Sequence, residues 1–214
     1  MTTATATHTI ICLEAACQEQ ACADLAFRFN RELGIPKYSE GASILPLPES
    51  LQAWRDEHRT ARKRADRAER LGYRFEEIDR SQHNDDIYAI HTSLPRRQGR
   101  PMGAGYLKRH LYGRLPDYPC DRHNVRTYGV LKDETLVAYV ALYRVGELGL
   151  VSMIIGHGDH LRNDVMYLLA LGTIRDQIPS GGWLYYNRHD SGTEGLVYYK
   201  ERNGFRAGNI QWIL

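Results

Sequence analysis

RTYGVLKDETLVAYVALYRVGELGLVSMII, the stretch from Arg126 to Ile155, decides how the rest of this chain is read. It divides into three strand-like runs, Arg126–Lys132, Thr135–Arg144 and Leu148–Ile155. Lys132-Asp133-Glu134 and Val145-Gly146-Glu147 join them, and connections this compact leave consecutive strands antiparallel and adjacent.

Toward the C-terminus, Gly156-His157-Gly158-Asp159-His160 leads into a helix that runs to about Ile178, with Leu161, Val165, Leu168, Leu169 and Ile174 at core spacing. Trp183–Tyr186 reads as a buried strand, Thr193–Arg202 as a short helix ended by Gly204, and Phe205–Leu214 as a closing strand. Toward the N-terminus, a helix over Ala104–Tyr112 follows the basic loop 95–103. Before them stand a helix from His83 to Ser93, with Ile87 and Ile90 inward, and a strand from Tyr73 to Asp79. A long helix is expected from about Glu49 to Leu71, ended by Gly72. Residues 35–49 hold three prolines and read as a loop. His8–Leu13 reads as a strand and Glu14–Leu33 as a helix. From Tyr73 the order is β–α–α–β–β–β–α–β–α–β.

The 214 residues suit one large domain or a domain with an extension. A net charge of +2 excludes a polycation, and no apolar run is long enough for a membrane span. Met1–Thr9 lacks a basic segment followed by an apolar one, so a cytoplasmic location is expected rather than secretion. Cys12, Cys17 and Cys22 stand five residues apart, which matches no familiar zinc spacing. With Cys120 they are expected to be reduced thiols, and no metal is expected.

The element order resembles the GNAT acyltransferase fold. Glu194-Gly195-Leu196-Val197-Tyr198-Tyr199-Lys200-Glu201-Arg202-Asn203-Gly204-Phe205 is similar to that superfamily's late helix motif, an aromatic pair followed by Gly-Phe. It resembles still more the Fem-like branch, the aminoacyl-tRNA-dependent peptidoglycan-bridge enzymes, as does the Arg-Ala-rich run Arg59–Gly72. The resemblance covers residues 50–214 and implies an α+β domain at 49–214, a mixed, mostly antiparallel sheet flanked by helices, with 1–48 as an N-terminal strand–helix extension. Residues 1–48 could extend the sheet, close a partial second lobe or make a homodimer contact.

The resemblance also implies a set of site residues. Backbone amides of Met153, Ile154 and Ile155 would receive the donor's carbonyl. Gly156, His157, Gly158, His160 and Arg162 would meet an anionic carrier, with helix amides left unpaired at Asp159 or His160. The superfamily's Gln/Arg-x-x-Gly-x-Gly/Ala turn is missing, however: His160-Leu161-Arg162-Asn163-Asp164-Val165 holds no glycine. Tyr199 is the candidate general acid, although Lys200 occupies the position where that tyrosine normally stands. Lys200 could instead neutralise a carrier phosphate or the oxyanion, and His189, Asp190 or Glu147 could deprotonate the acceptor. Arg59, Lys63, Arg67 and Arg70 form a cationic stripe, and Arg96, Arg97 and Arg100 a basic loop, either of which could meet tRNA, DNA or an anionic acceptor. The expected function is an N-acyltransferase moving an acyl group from acetyl-CoA or another acyl-CoA to a small-molecule or macromolecular amine. The alternatives are an aminoacyl-tRNA-dependent transferase, a nucleic-acid-modifying enzyme and a catalytically silent nucleic-acid-binding domain.

Overall fold

A computed structural model describes residues 8–14, 17, 19–32 and 38–214. In chain order the elements are β1 (His8–Cys12), α1 (Gln20–Glu32), β2 (Tyr38–Pro46), α2 (Leu51–Glu57), α3 (Arg59–Arg70), β3 (Tyr73–Glu77), α4 (Asn84–Thr92), β4 (Arg96–Arg97), β5 (Arg100–Pro101), β6 (His123–Lys132), β7 (Thr135–Val145), β8 (Leu148–Gly156), α5 (Val165–Gln177), β9 (Trp183–Arg188), α6 (Glu194–Arg202) and β10 (Arg206–Ile213). Eight strands make one sheet in the order β1-β10-β2-β9-β8-β7-β6-β3, and β4 and β5 form a separate small hairpin. β1 runs parallel to β10 and β8 parallel to β9; the other neighbours are antiparallel. This is the α+β, mostly antiparallel architecture expected from the sequence.

β7 is buried along nearly its whole length because helices cover both faces of the sheet. On one face α2, α3 and α5 close a core around Trp54, Tyr128, Val140, Leu142, Leu168 and Leu171. α3 lies on α5. Ala61, Ala65 and Ala68, at helical spacing, are fully buried there, and side chains this small let the two helices come close. On the other face Leu25, Ala26 and Phe29 of α1 pack with Ile11, Ile44 and Trp212, while Ile87 and Ile90 of α4 pack with Leu131, Leu136 and Ile155.

Four expectations change. Residues 38–46 are not loop: β2 lies between β10 and β9, so the N-terminal 48 residues supply strands to the same sheet. Its prolines mislead because Pro46 and Pro48 mark the strand's end, while Gly41, at φ 62°, carries a bulge in an otherwise paired strand. The long helix 49–71 breaks at His58, whose ring packs against Gly204, while Trp54 anchors α2 by donating its indole N–H to the Asn203 carbonyl (3.2 Å). The helix expected over 104–112 is a series of turns, since Leu107 and Leu111 are 49% and 83% exposed and have no core to bury against. α1 begins at Gln20 rather than Glu14; residues 15, 16, 18 and 33–37 lie outside the described set.

α5 crosses the sheet against Phe75, and a Cβ on Gly172 would fall 2.2 Å from that ring, which is itself stacked on Tyr128. Gly172→Ala gains helix propensity but forces this layer apart. The overpacking cost should win, at about 1–3 kcal/mol, lowering the melting temperature by roughly 2–10 °C. Calorimetry of the variant checks this; a rise in melting temperature would contradict it.

Candidate active site

β8 and β9 are paired at one end and separate at the other. Their register covers only Leu148–Leu150 against Trp183–Tyr185. At this closed end the fully buried Arg144 donates to the carbonyls of Gly146 (3.1 Å), Ser180 (3.2 Å) and Gly181, tying the turn that starts β8 to the turn that starts β9. Burial lowers the Arg144 pKa to about 10, which leaves it cationic at neutral pH. Immediately past the last pair, β8 carries a bulge against β7: Leu142 opposes Val151 and Ala141 opposes Met153, so Ser152 is the extra residue. A bulge bends and twists its strand. Beyond it β8 follows β7 to Gly156, while β9 follows β2 to Arg188.

The fork leaves backbone unpaired. His157 donates its N–H to Val137 on the β7 side (2.7 Å), whereas the Gly156 carbonyl points the other way and accepts from Arg97 (2.9 Å). Strand alternation therefore turns the Ile154 amide toward the open edge, and those of Met153 and Ile155 toward β7. Between the strands lies a cleft of about 360 Å³. Ile154, Ile155 and Gly156 form one wall and Tyr186 with Leu196 and Tyr199 of α6 the other; Leu161 and Met166 close one end and the β4–β5 hairpin the mouth. A small apolar pocket at the crotch is lined by Val151, Ile154, Tyr186, Tyr199 and Phe205.

Of the acid and base candidates, only Tyr199 lines this cleft. Its hydroxyl donates to the Met166 carbonyl (2.9 Å), and burial pushes the phenol's pKa well above its ordinary range, so it stays protonated. Burial does the same to Tyr186. Lys200 points elsewhere: fully buried, its ammonium donates to the Arg188 carbonyl (2.5 Å) and Ser191 Oγ (3.2 Å), and lies 5.0 Å from the Tyr186 ring centre. It braces the loop between β9 and α6. His189 sits between Ser43 (3.3 Å) and Glu201 (3.7 Å), and Asp190 is held in a two-point pair with Arg188 (3.0 and 2.9 Å). Glu147 accepts the Cys12 N–H (2.9 Å) at the closed end, roughly 30 Å of strand away from Gly156.

The carrier-binding segment is also rearranged. A short 3-10 turn spans Gly158–Asn163, and α5 begins only after Asp164, whose φ is 62°. The Gly158 amide is already bonded to Ser93 Oγ (3.0 Å). His160 Nδ1 meets the Tyr73 hydroxyl (2.8 Å), which also accepts from Asn163 (2.8 Å); burial, then the neighbouring His157, depresses the His160 pKa. Asp164 places a carboxylate at the start of α5, clamped by Arg67 (2.8 Å) and Arg64 (3.4 Å). Arg162 is exposed and its carbonyl accepts from Arg67 (3.1 Å). Of the stripe, Arg59, Lys63 and Arg70 are exposed with no ion pair among the described residues.

In the basic loop, Arg97 is a strut: it bonds Gly156, Ile90 (2.8 Å) and Ser93 (2.9 Å), seating the hairpin on β8 and α4. Arg96 lines the cleft mouth and Arg100 is exposed. Leu94, Gln98, Leu161, Met166, Tyr186, Thr193, Gly195 and Leu196 line the cleft without having been singled out as site residues. One signal was there: Gly195, Leu196 and Tyr199 share a helix face in the late motif. A larger cavity, about 530 Å³, lies elsewhere, between β6 and residues 114–121. Its walls carry ions already paired, with Arg126 bound to Asp121 (2.8 Å), Glu77 (3.6 Å) and Asp176 (3.5 Å).

The architecture has counterparts among solved structures. It is similar to the C-terminal domain of a protein assigned as a lysylphosphatidylglycerol synthetase from Agrobacterium fabrum, at 15% identity and TM-score 0.50, over 88% of this chain and 61% of that one. A tandem GNAT protein from the clavulanic acid biosynthesis pathway shows 16% identity and TM-score 0.43, over 91% of this chain and 57% of that one. For a GCN5-related N-acetyltransferase from Kribbella flavida the values are 14% and 0.40, over 64% and 48%. At such identities the likeness is one of fold, and the chain spans at most 61% of the length of these structures. No protein-family model and no curated protein matches the chain. No helix among the described residues is long and apolar enough to cross a membrane.

Two histidines near the cleft make the stability of the fold depend on pH. His91, bonded to Tyr139 (2.6 Å), and His160 both have depressed pKa values, in each case chiefly through burial. For His91 the positive charge of Arg97 and then His110 add to this. Their stabilising effect is complete above the free imidazole range, about 6.5, and is lost as pH falls through the lower folded values. The melting temperature should drop between pH 7 and 5.5, and less so in His91→Gln. Equal slopes in the two proteins would rule out His91 as a source.

Proposed function

We propose that this chain is an N-acyltransferase that moves an acyl group from acyl-CoA to an amine inside the β8–β9 cleft. The observation that carries the reading is the unpaired Ile154 amide facing a cleft whose far wall holds the protonated Tyr199. The donor's carbonyl accepts from Ile154 N–H, which polarises it and then stabilises the oxyanion that forms when the amine attacks. Collapse of that intermediate breaks the bond from carbonyl carbon to sulfur, and Tyr199 protonates the departing thiolate. Arg96 at the mouth supplies positive charge for a carrier phosphate. The α5 N-terminus is a poor phosphate site, because Asp164 already places a negative charge there.

The cleft is lined by no carboxylate and no imidazole among the described residues. The acceptor amine therefore arrives neutral or loses its proton to water. kcat/KM should rise with pH along the amine's own titration, with no plateau set by an enzyme base. A bell-shaped profile that stays in place when the amine is changed would contradict this.

One observation favours a second donor, aminoacyl-tRNA. Arg59, Lys63 and Arg70 are exposed on α3, and the same helix reaches the start of α5 through Arg64 and Arg67. A cationic face beside the cleft suits a nucleic-acid carrier better than a nucleotide-sized one. The two readings are separated by incubating the protein with labelled acetyl-CoA or charged tRNA and a panel of amines. Acyl-CoA use is expected, with Tyr199→Phe losing about 10²-fold in kcat at unchanged melting temperature. Turnover with charged tRNA alone, falling steeply with salt, replaces acyl-CoA by aminoacyl-tRNA. Turnover with neither overturns the transferase reading. A fully active Tyr199→Phe removes Tyr199 as the acid.

A further inference from the structure

The thiols expected to be solitary converge. Cys17, just before α1, and Cys22, in its first turn, meet Cys120 and His123 at the start of β6, and one ligand atom from each lies within 4.8 Å of all the others. Cys120 Sγ stands 3.4 Å from Cys22 Sγ, 3.7 Å from Cys17 Sγ and 3.5 Å from His123 Nδ1. A tetrahedral zinc ion with its usual bond lengths sets sulfur–sulfur and sulfur–nitrogen edges of about 3.5–3.8 Å. The sulfurs are well beyond the bonding distance of a disulfide, about 2.05 Å.

The histidine is prepared for a ligand's role. His123 is fully buried, and its Nε2–H donates to the Leu13 carbonyl at 2.7 Å. A carbonyl only accepts, so the proton belongs on Nε2 and the lone pair on Nδ1, the atom that faces the three sulfurs. Outer contacts of this kind orient metal-bound imidazoles. Cys22 is 1% exposed and His123 is fully buried, while Cys17 and Cys120 are half-buried, and the thiols have only weak sulfur hydrogen bonds to satisfy them.

We infer that Cys17, Cys22, Cys120 and His123 form a Cys₃His site for a structural zinc ion. Three soft thiolates and one imidazole in a closed tetrahedral set select zinc over hard cations and leave no open coordination position for catalysis. The site is also remote from the cleft. His123 pairs with Val145 at one end of β7, whereas Gly156 pairs with Ala138, seven residues along, roughly 20 Å away. Its role is to staple the β1–α1 connection to the strand that begins a hundred residues later. The pattern is a Cys-x₄-Cys pair joined to a Cys-x₂-His pair, and Cys12, though equally spaced, takes no part. This inference is independent of the transferase reading.

The test is metal analysis of the full chain, purified without chelator and without a metal-affinity tag. About one zinc per chain is expected, falling below about a fifth in Cys22→Ser and Cys120→Ser and staying intact in Cys12→Ser. Should the serine variants fail to fold, the wild-type protein decides alone. Refolded with Co²⁺, it should show tetrahedral d–d bands and a thiolate charge-transfer band, both bleached by one equivalent of Zn²⁺. Three results would overturn the site: less than about 0.1 metal per wild-type chain with no cobalt spectrum, zinc content unchanged by Cys120→Ser, or a non-reduced mass showing a disulfide among these three cysteines.

Discussion

Everything that distinguishes this sheet from an ordinary one follows from where β8 stops pairing with β9. Three residues of parallel register, clamped by the buried Arg144, fix the two strands side by side. The extra residue Ser152 then turns β8 away at once. Each strand keeps its outer partner, so the divergence costs the sheet few hydrogen bonds and leaves a short row of backbone groups on the inner edges. A polar edge facing an apolar wall is a place to bind and polarise a carbonyl.

The chemistry available there is narrow. Tyr186 and Tyr199 stay protonated and can give protons, and no carboxylate or imidazole among the described residues lines the cleft to take one. The end of the cleft near α5 carries a charge of its own. An aspartate held by two arginines stands at the start of α5, where an anion-binding helix would show bare amides. Arg97 joins these parts, since it seats the hairpin over the cleft by bonding the last carbonyl of β8.

Much of this was legible in local pattern. The meander of β6, β7 and β8 and the final strand–helix–strand stand where hydrophobic spacing placed them, because each buries a continuous face set by its own period, whereas the helix after the meander starts at Val165 rather than near Asp159 and leaves Leu161 exposed. Ile154, Gly156 and Tyr199 were read as site residues from their positions relative to that order, and the structure brings all three to one cleft. Lys200, His189, Asp190 and Glu147 were reasonable by residue type and adjacency. Their side chains are engaged by Ser191, Ser43, Arg188 and the Cys12 amide, partners that no spacing rule supplies.

By itself the sequence determined the β6–β8 meander, the closing strand–helix–strand and the fold class, since these depend on neighbours within a few turns or one hairpin. Only the tertiary structure decided that β2 enters between β10 and β9, that β8 and β9 fork at Ser152, and that two cysteine-containing segments meet a hundred residues apart. Those outcomes rest on strand pairing and convergence between distant segments. Their energy depends on the whole assembled sheet, so no local pattern of residues records them.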